Sequence, residues 1–123
     1  MPNNSPTVLV VEDHLPVLQA IAFRLESAKF NVYTARDCAS GAMKARQINP
    51  DIALLDICLP GGSGFELAKR IDVICARPVK KIFITASCDK SYRRKATECG
   101  AVDFLEKPFT SDTLLAAVTL ANR

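Results

Sequence analysis

Histidine is nearly absent from this sequence, and cysteine never occurs in a metal-binding spacing. The chain has one histidine, His14, and no two of its five cysteines lie at C-x-x-C spacing. The cysteines are Cys38, Cys58, Cys75, Cys88 and Cys99. An odd number of scattered thiols predicts neither a zinc site nor a disulfide framework. We interpret them as small apolar side chains that the cytosol keeps reduced.

The sequence also lacks long hydrophobic runs and a strong charge of either sign. No apolar stretch approaches the roughly 18 residues of a membrane span. Met1 to Pro6 lack the basic start and the apolar run of a signal peptide. We therefore expect a cytoplasmic protein that does not enter a membrane. A net charge of +3 is too weak to indicate direct nucleic-acid binding by this chain.

The composition is typical of one globular domain. The 123 residues are 49% hydrophobic and 24% charged. This is enough for one core and too short for two domains of ordinary size. No internal repeat or linker interrupts the chain, so we expect residues 1–123 to form a single domain.

Segments typical of strands alternate with segments typical of helices along the whole chain. Short apolar, β-branched runs predict strands that are buried on both faces, at 7–11, 31–35, 51–56, 79–85 and 102–105. Apolar residues at helical spacing predict helices. The first begins near Pro16, and the others cover 39–48, 63–74, 91–99 and 111–122. The alternation predicts an α/β fold with a doubly wound, five-stranded parallel sheet and helices on both faces.

Polar residues follow four of the five predicted strands at the point where each strand ends. Glu12 and Asp13 follow the first strand, Asp56 ends the third, Thr85 ends the fourth and Lys107 follows the fifth. Right-handed crossovers place the carboxyl ends of parallel strands at one edge of the sheet, where ligands bind in such folds. We therefore expect these five side chains to lie close together.

Three carboxylates beside a lysine favour phosphoryl transfer to a carboxylate. Clustered carboxylates repel one another unless a cation is present, and their oxygens suit a hard divalent ion such as Mg²⁺. Asp56 is the candidate nucleophile, and the metal and Lys107 would neutralise the charge that develops. The Thr85 hydroxyl would hold a phosphoryl oxygen through a hydrogen bond.

Five phrases of the sequence, in this order and spacing, resemble the receiver domain of two-component response regulators. They are 8–13 (VLVVED), 50–60 (PDIALLDICLP), Gly64, 84–86 (ITA) and 100–109 (GAVDFLEKPF). The resemblance covers residues 7–121 and implies a CheY-like, flavodoxin-like sheet with strand order 2-1-3-4-5. It also implies that a sensor histidine kinase or a phosphotransfer protein phosphorylates Asp56.

The resemblance implies further roles, residue by residue. Asp13 and Asp56 would bind Mg²⁺, with Glu12 helping through water and the backbone carbonyl of Cys58 as a further ligand. Thr85, Lys107 and the backbone N–H of Ala86 would contact the phosphoryl group. Phe104 lies at the aromatic switch position, where a ring turns inward once Thr85 moves. The Lys107–Pro108 peptide bond would be cis.

Three other functions are weighed against this one. A phosphatase with an aspartyl nucleophile would need a second acid two residues after Asp56, where this chain has Cys58. A flavin-binding protein would need a Ser/Thr-Gly phosphate loop after the first strand, and none is present. The remaining alternative is a pseudo-receiver that binds partners without being phosphorylated. We expect no enzyme activity beyond the chain's own Mg²⁺-dependent phosphorylation and dephosphorylation.

The surface gives weaker indications of partners. The fourth helix carries the basic residues Lys90, Arg93, Arg94 and Lys95, which we interpret as a solvated face rather than a docking surface for an acidic partner. Phosphorylation would switch the surface of the fourth helix, fifth strand and fifth helix, through which a homodimer is possible by resemblance. A DNA-binding output domain outside this chain is a further possibility.

Overall fold

The computed structural model describes residues 5–87 and 89–123. The interpretation of Cys88 as a small apolar side chain that stays reduced therefore lies outside the described residues. So do the first four residues of the segment Met1 to Pro6, which was predicted not to be a signal peptide. The strands are β1 Thr7–Val11, β2 Asn31–Ala35, β3 Ile52–Asp56, β4 Cys58–Leu59, β5 Gly62–Ser63, β6 Lys80–Thr85 and β7 Asp103–Glu106. The helices are α1 Leu15–Ser27, α2 Cys38–Ile48, α3 Gly64–Ile74, α4 Lys90–Glu98 and α5 Ser111–Ala121.

The main sheet has five parallel strands in the order β2-β1-β3-β6-β7. This is the predicted order 2-1-3-4-5, because the two-residue strands β4 and β5 form a separate antiparallel pair and only add to the numbering. The predicted fold class is therefore confirmed. β1 is apolar from Val8 to Val11 and β3 from Ile52 to Leu55, as central strands covered on both faces require.

Two core clusters lie on opposite faces of the sheet. Side chains alternate along a strand, so Val8 and Val10 pack with α1 and α5, while Leu9 and Val11 pack with α2 and α3. Four of the helices bury a row of small or apolar residues against the sheet, as Leu18, Ile21 and Leu25 do in α1, whereas α4 buries only Ala96. Among the described residues, no helix has the length and apolarity needed to cross a bilayer.

Local side-chain bonds decide where four of the helices begin. Asp37, Ser63, Asp89 and Thr110 each accept a hydrogen bond from a backbone N–H in the first turn. The cap at Asp89 starts α4 at Lys90, one residue before the predicted start. The last strand runs one residue later than predicted, because its pairing with β6 continues to Glu106 opposite Thr85.

The loop after β3 contains a hairpin that the sequence pattern did not predict. Cys58 pairs with Ser63 and Leu59 pairs with Gly62. The turn between them depends on positive φ angles at Gly61 and Gly62, of 81° and 150°. Strands of two residues are too short to show alternation, and the sequence 60–62 (PGG) is typical of a loop without indicating the strands on either side of it. The Lys107–Pro108 peptide bond is cis, as the resemblance implied.

Candidate functional site

The carboxyl ends of four strands bring the predicted site residues together. Glu12 follows β1, Asp56 ends β3, Thr85 ends β6 and Lys107 follows β7. Glu12, Asp56 and Thr85 are buried, although each has a polar or charged side chain. Asp13 is exposed beside them. Every predicted site residue except Phe104 lines one cavity of about 600 Å³, which is large enough for a small ligand.

The Asp56 carboxylate is held at both oxygens. Its Oδ1 accepts a hydrogen bond from the Cys58 backbone N–H at 2.9 Å, and its Oδ2 accepts one from Lys107 Nζ at 2.7 Å. Because strand end and loop fix the carboxylate from two sides, it needs little reorganisation before it reacts.

The backbone behind Asp56 is packed against the start of α3. The Gly64 N–H donates to the Ile57 carbonyl at 2.8 Å. A Cβ atom at Gly64 would lie only 2.3 Å from the Asp56 carbonyl oxygen, far closer than real contacts. Only glycine therefore allows the hairpin and α3 to approach Asp56 this closely.

Lys107 is shared between two buried acids. Besides Asp56, its ammonium group contacts Glu12 Oε1, and Glu12 Oε2 accepts the His14 backbone N–H at 3.1 Å. Burial raises the pKa of Glu12, neighbouring Asp56 raises it further, and Lys107 works against both. Burial acts to lower the pKa of Lys107, but its hydrogen bonds to Asp56 and Glu12 outweigh that effect and raise it.

The acidic cluster has the donor set of a divalent-cation site. One carboxylate oxygen from each of Glu12, Asp13 and Asp56 lies within 4.8 Å of the others. When all three are ionised, one ammonium group leaves two negative charges unbalanced. Oxygen ligands with that excess charge fit Mg²⁺ or a similar hard ion. Cys58 adjoins the cluster with an exposed side chain, and its backbone N–H already holds Asp56.

Thr85 and Phe104 lie on the neighbouring strands β6 and β7, and their side chains have different surroundings. The Thr85 Oγ1 accepts a hydrogen bond from the Ser87 backbone N–H at 3.0 Å, and Thr85 pairs with Glu106 across the sheet. Phe104 lies two residues before Glu106, half-buried at the edge of the core. Ala86 lines the site cavity beside Thr85.

Two contacts to the site come from residues that the sequence reasoning did not select. Arg36 Nη2 donates to the Asp13 carbonyl oxygen at 3.0 Å, and the side chain of Tyr92 interacts with that of Cys58, which raises the Tyr92 pKa. Arg36 directly follows β2, the one strand of the main sheet from which no site residue was predicted. Tyr92 lies in α4, and no strand end points to it. His14, which directly follows Glu12 and Asp13 in the sequence, also lines the cavity.

Comparison with protein families gives a match over nearly the whole chain. Residues 8–119 match the family model described as the response regulator receiver domain. A solved structure of a CheY-like response regulator receiver domain protein from Methanospirillum hungatei JF-1 has a TM-score of 0.88 and 26% identity. The match covers 95% of this chain and 93% of that one.

Two similar curated proteins are longer than this chain. The phosphate regulon transcriptional regulatory protein PhoB of Escherichia coli strain K12 is 33% identical over 117 residues, which are 94% of this chain and 51% of PhoB. The hybrid signal transduction histidine kinase D of Dictyostelium discoideum is 34% identical over 119 residues, 94% of this chain and 8% of the kinase. The chain thus spans about half of the first relative and a small part of the second.

Proposed function

The chain belongs to the response regulator receiver domain family, and on that basis we propose that Asp56 accepts a phosphoryl group in two-component signalling. One observation carries the proposal. The buried Asp56 carboxylate contacts Lys107 Nζ at 2.7 Å, in a cavity that also contains Glu12 and Asp13. A nucleophile, a cation and further metal-binding oxygens thus share one small site.

The proposed reaction is an in-line transfer to one Asp56 oxygen. That oxygen forms a bond to the phosphorus of a phosphohistidine donor as the N–P bond breaks, and the bonding electrons stay on the donor nitrogen. Lys107 is already in contact with the carboxylate, so its charge offsets the negative charge of the incoming phosphoryl oxygens. The Thr85 hydroxyl and the Ala86 backbone N–H, both at the cavity wall, would hold those oxygens.

We further propose that the site uses Mg²⁺. Glu12, Asp13 and Asp56 would hold the ion through carboxylate oxygens or bound water, together with the Cys58 carbonyl oxygen. Such an ion supplies the positive charge that lets a carboxylate approach a phosphoryl group. The excess of negative charge in the cluster supports this part of the proposal.

The proposed consequence of phosphorylation is a change on the surface formed by α4, β7 and α5. Phosphorylation replaces the single negative charge of the Asp56 carboxylate with the roughly double negative charge of an acyl phosphate, and Thr85 and Lys107 would reorganise around it. Thr85 pairs with Glu106 on β7, two residues beyond Phe104, and its hydroxyl accepts the Ser87 N–H just before α4, so β7 and the start of α4 would respond. This surface would then bind a partner or a second copy of the chain differently.

The partners are inferred from the same similarity. The donor would be a sensor histidine kinase or a phosphotransfer protein. PhoB is described as a transcriptional regulatory protein, and the matched region covers only half of it. We therefore propose that any DNA contact in such a regulator belongs to a separate output domain. The chain would act as a switch and not as an enzyme on other substrates.

A reducing compartment such as the cytoplasm is the proposed location. Cys38, Cys58, Cys75 and Cys99 are all free thiols. Unpaired thiols, one of them exposed at the site, favour a compartment that keeps cysteine reduced.

Intact mass after incubation with acetyl phosphate tests the proposed function. Wild type should gain one phosphoryl adduct with Mg²⁺ and none with EDTA, and Asp56→Asn should gain none. Asp72→Asn, which changes an aspartate at the far end of α3, should label as wild type does. Absence of an adduct in wild type with Mg²⁺ would favour a pseudo-receiver, and full labelling of Asp56→Asn would exclude Asp56 as the acceptor.

A further inference from the structure

One side chain connects α4 with β7 through two different contacts. The Arg93 guanidinium lies 4.7 Å from the centroid of the Phe104 ring. Its Nη2 atom also lies 3.3 Å from Glu106 Oε1. Residues 104 and 106 point to the same side of the strand, so a single arginine covers the ring and pairs with the acid beyond it.

These contacts matter because α4 is weakly anchored by its own core residues. In α4 only Ala96 is buried, whereas α3 buries Gly64, Leu67, Ala68 and Ile71. A helix with little buried apolar surface is easily displaced. Contacts made by partly exposed side chains therefore contribute more to holding α4 in position than such contacts do in α3.

The amino end of α4 is linked to Thr85 by a chain of hydrogen bonds. The Ser87 N–H donates to Thr85 Oγ1 at 3.0 Å, and the Asp89 N–H donates to Ser87 Oγ at 3.2 Å. Asp89 in turn accepts the Ser91 N–H at 2.9 Å and caps the helix. If the Thr85 hydroxyl turns towards a phosphoryl group, the first of these bonds breaks and the start of α4 is released.

Space for a rearrangement lies between these two connections. A surface pocket of about 150 Å³ is lined by Ser87, Asp89, Lys90, Arg93, Phe104 and Glu106. Phe104 and Arg93 thus adjoin open space into which either side chain can move.

We infer that Arg93 is a positioning residue that holds Phe104 and α4 in the present arrangement, in which Thr85 Oγ1 is bonded to its own turn. The inference rests on the proposed function. The Arg93 contacts stabilise an arrangement that phosphorylation must leave, so they lower the affinity of the site for a phosphoryl group by the same free energy. Losing them favours the phosphorylated arrangement.

Titration with beryllofluoride and Mg²⁺, a mimic of the phosphoryl group, tests the inference. Arg93→Ala should bind it about three- to tenfold more tightly than wild type, as expected for one exposed ion pair plus one cation–ring contact. Arg94→Ala removes another exposed arginine, at the next position of α4, and serves as the matched control. It should bind as wild type does.

Fluorine NMR of protein containing 4-fluorophenylalanine gives a readout that simple destabilisation would not produce. The chain has six phenylalanines, and Phe104→Leu identifies the Phe104 signal. In Arg93→Ala without beryllofluoride, that signal should shift towards its position in the bound wild type. Glu106→Gln removes only the ion pair and should shift it less. Arg93→Lys keeps the charge but loses the planar stacking, and should restore only part of the wild-type position.

Two different failures are distinguishable. If wild type binds beryllofluoride but Arg93→Ala binds it with equal or lower affinity, the positioning role is wrong and the proposed function stands. If wild type does not bind beryllofluoride, the proposed function fails and the inference fails with it.

Discussion

Two lysines lie at opposite ends of the sheet, Lys81 buried and Lys107 half-buried, and their surroundings differ in charge. Lys81, near the amino end of β6, pairs with Asp72 Oδ1 at 2.5 Å and also donates to the Val79 carbonyl oxygen. Asp72 is half exposed. Lys107, at the carboxyl end, contacts Asp56 and Glu12, whose carboxylates are almost fully buried.

The difference separates a structural ion pair from the proposed phosphorylation site. At Lys81 one positive charge meets one negative charge, and water solvates the acid, so the pair needs nothing more. At Lys107 one positive charge meets two buried acids, with Asp13 beside them. That arrangement has an excess of negative charge, which a divalent cation can neutralise. Lys107 and the cation can then bind a phosphoryl group together.

Lys107→Met should have the largest effect of the changes that test this comparison. The variant lacks the cation that offsets charge on the transferred phosphoryl group. Its labelling rate with acetyl phosphate should fall by about 10²- to 10³-fold. Rates would be measured by quenched time courses and intact mass at saturating Mg²⁺.

Lys81→Met is the matched control at the other end of the sheet. Asp72 is half exposed and returns to water, so stability should change by about 1 kcal/mol or less. The labelling rate should equal that of wild type. Equal losses of labelling in the two variants would mean that the two lysines do not differ in role.

Gly64→Ala should disturb the carboxyl end while leaving the amino end intact. The new Cβ would collide with the Asp56 carbonyl oxygen, which belongs to the backbone and has little freedom to shift. We expect a loss of about 1–3 kcal/mol in urea unfolding, together with slower labelling.

Gly100→Ala shows what backbone strain alone costs. It has a φ of 75° but no atom within 4 Å of the added Cβ, so stability should fall by about 1 kcal/mol without slower labelling. If Gly64→Ala labels as fast as Gly100→Ala, the close packing behind Asp56 has no part in positioning the acceptor.

The smallest expected effect is a pH-dependent difference between wild type and Glu12→Gln. Burial, with Asp56 nearby, raises the pKa of Glu12 above 4.5. The folded state therefore binds this proton more tightly than the unfolded state, and ionising Glu12 costs stability as the pH rises from 4.5 through the raised pKa. Without Mg²⁺, Glu12→Gln should gain stability relative to wild type over that window. Parallel urea midpoints across it would contradict the shift.

The positions of the site residues follow from sequence because strand ends are local signals. Asp56 and Thr85 end apolar runs, and parallel strands place such ends at one edge, so the pattern alone brought Asp56, Thr85 and Lys107 together. The pairing of Lys81 with Asp72 was not predictable in that way. Its acid comes from α3, and only tertiary packing shows that a lysine inside an apolar run has a partner.

Contacts across the loops were also outside the reach of the pattern. Gly64 was noted only as part of the receiver resemblance, and its close approach to Asp56 depends on how α3 packs against the edge of the sheet. Arg93 belonged to a basic cluster interpreted as a solvated face. The structure places it over Phe104, because α4 and β7 are neighbours only in the folded chain.

The most direct test of the central claim is to locate the acyl phosphate within β3. Borohydride reduction converts a phosphorylated aspartate to homoserine, which peptide mass spectrometry can place. The tryptic peptide 47–69 contains both Asp51, exposed before β3, and Asp56, buried at its carboxyl end. The account predicts homoserine at position 56 alone, in a Mg²⁺-dependent amount. Homoserine at position 51, or at position 13 in the amino-terminal peptide, would contradict it.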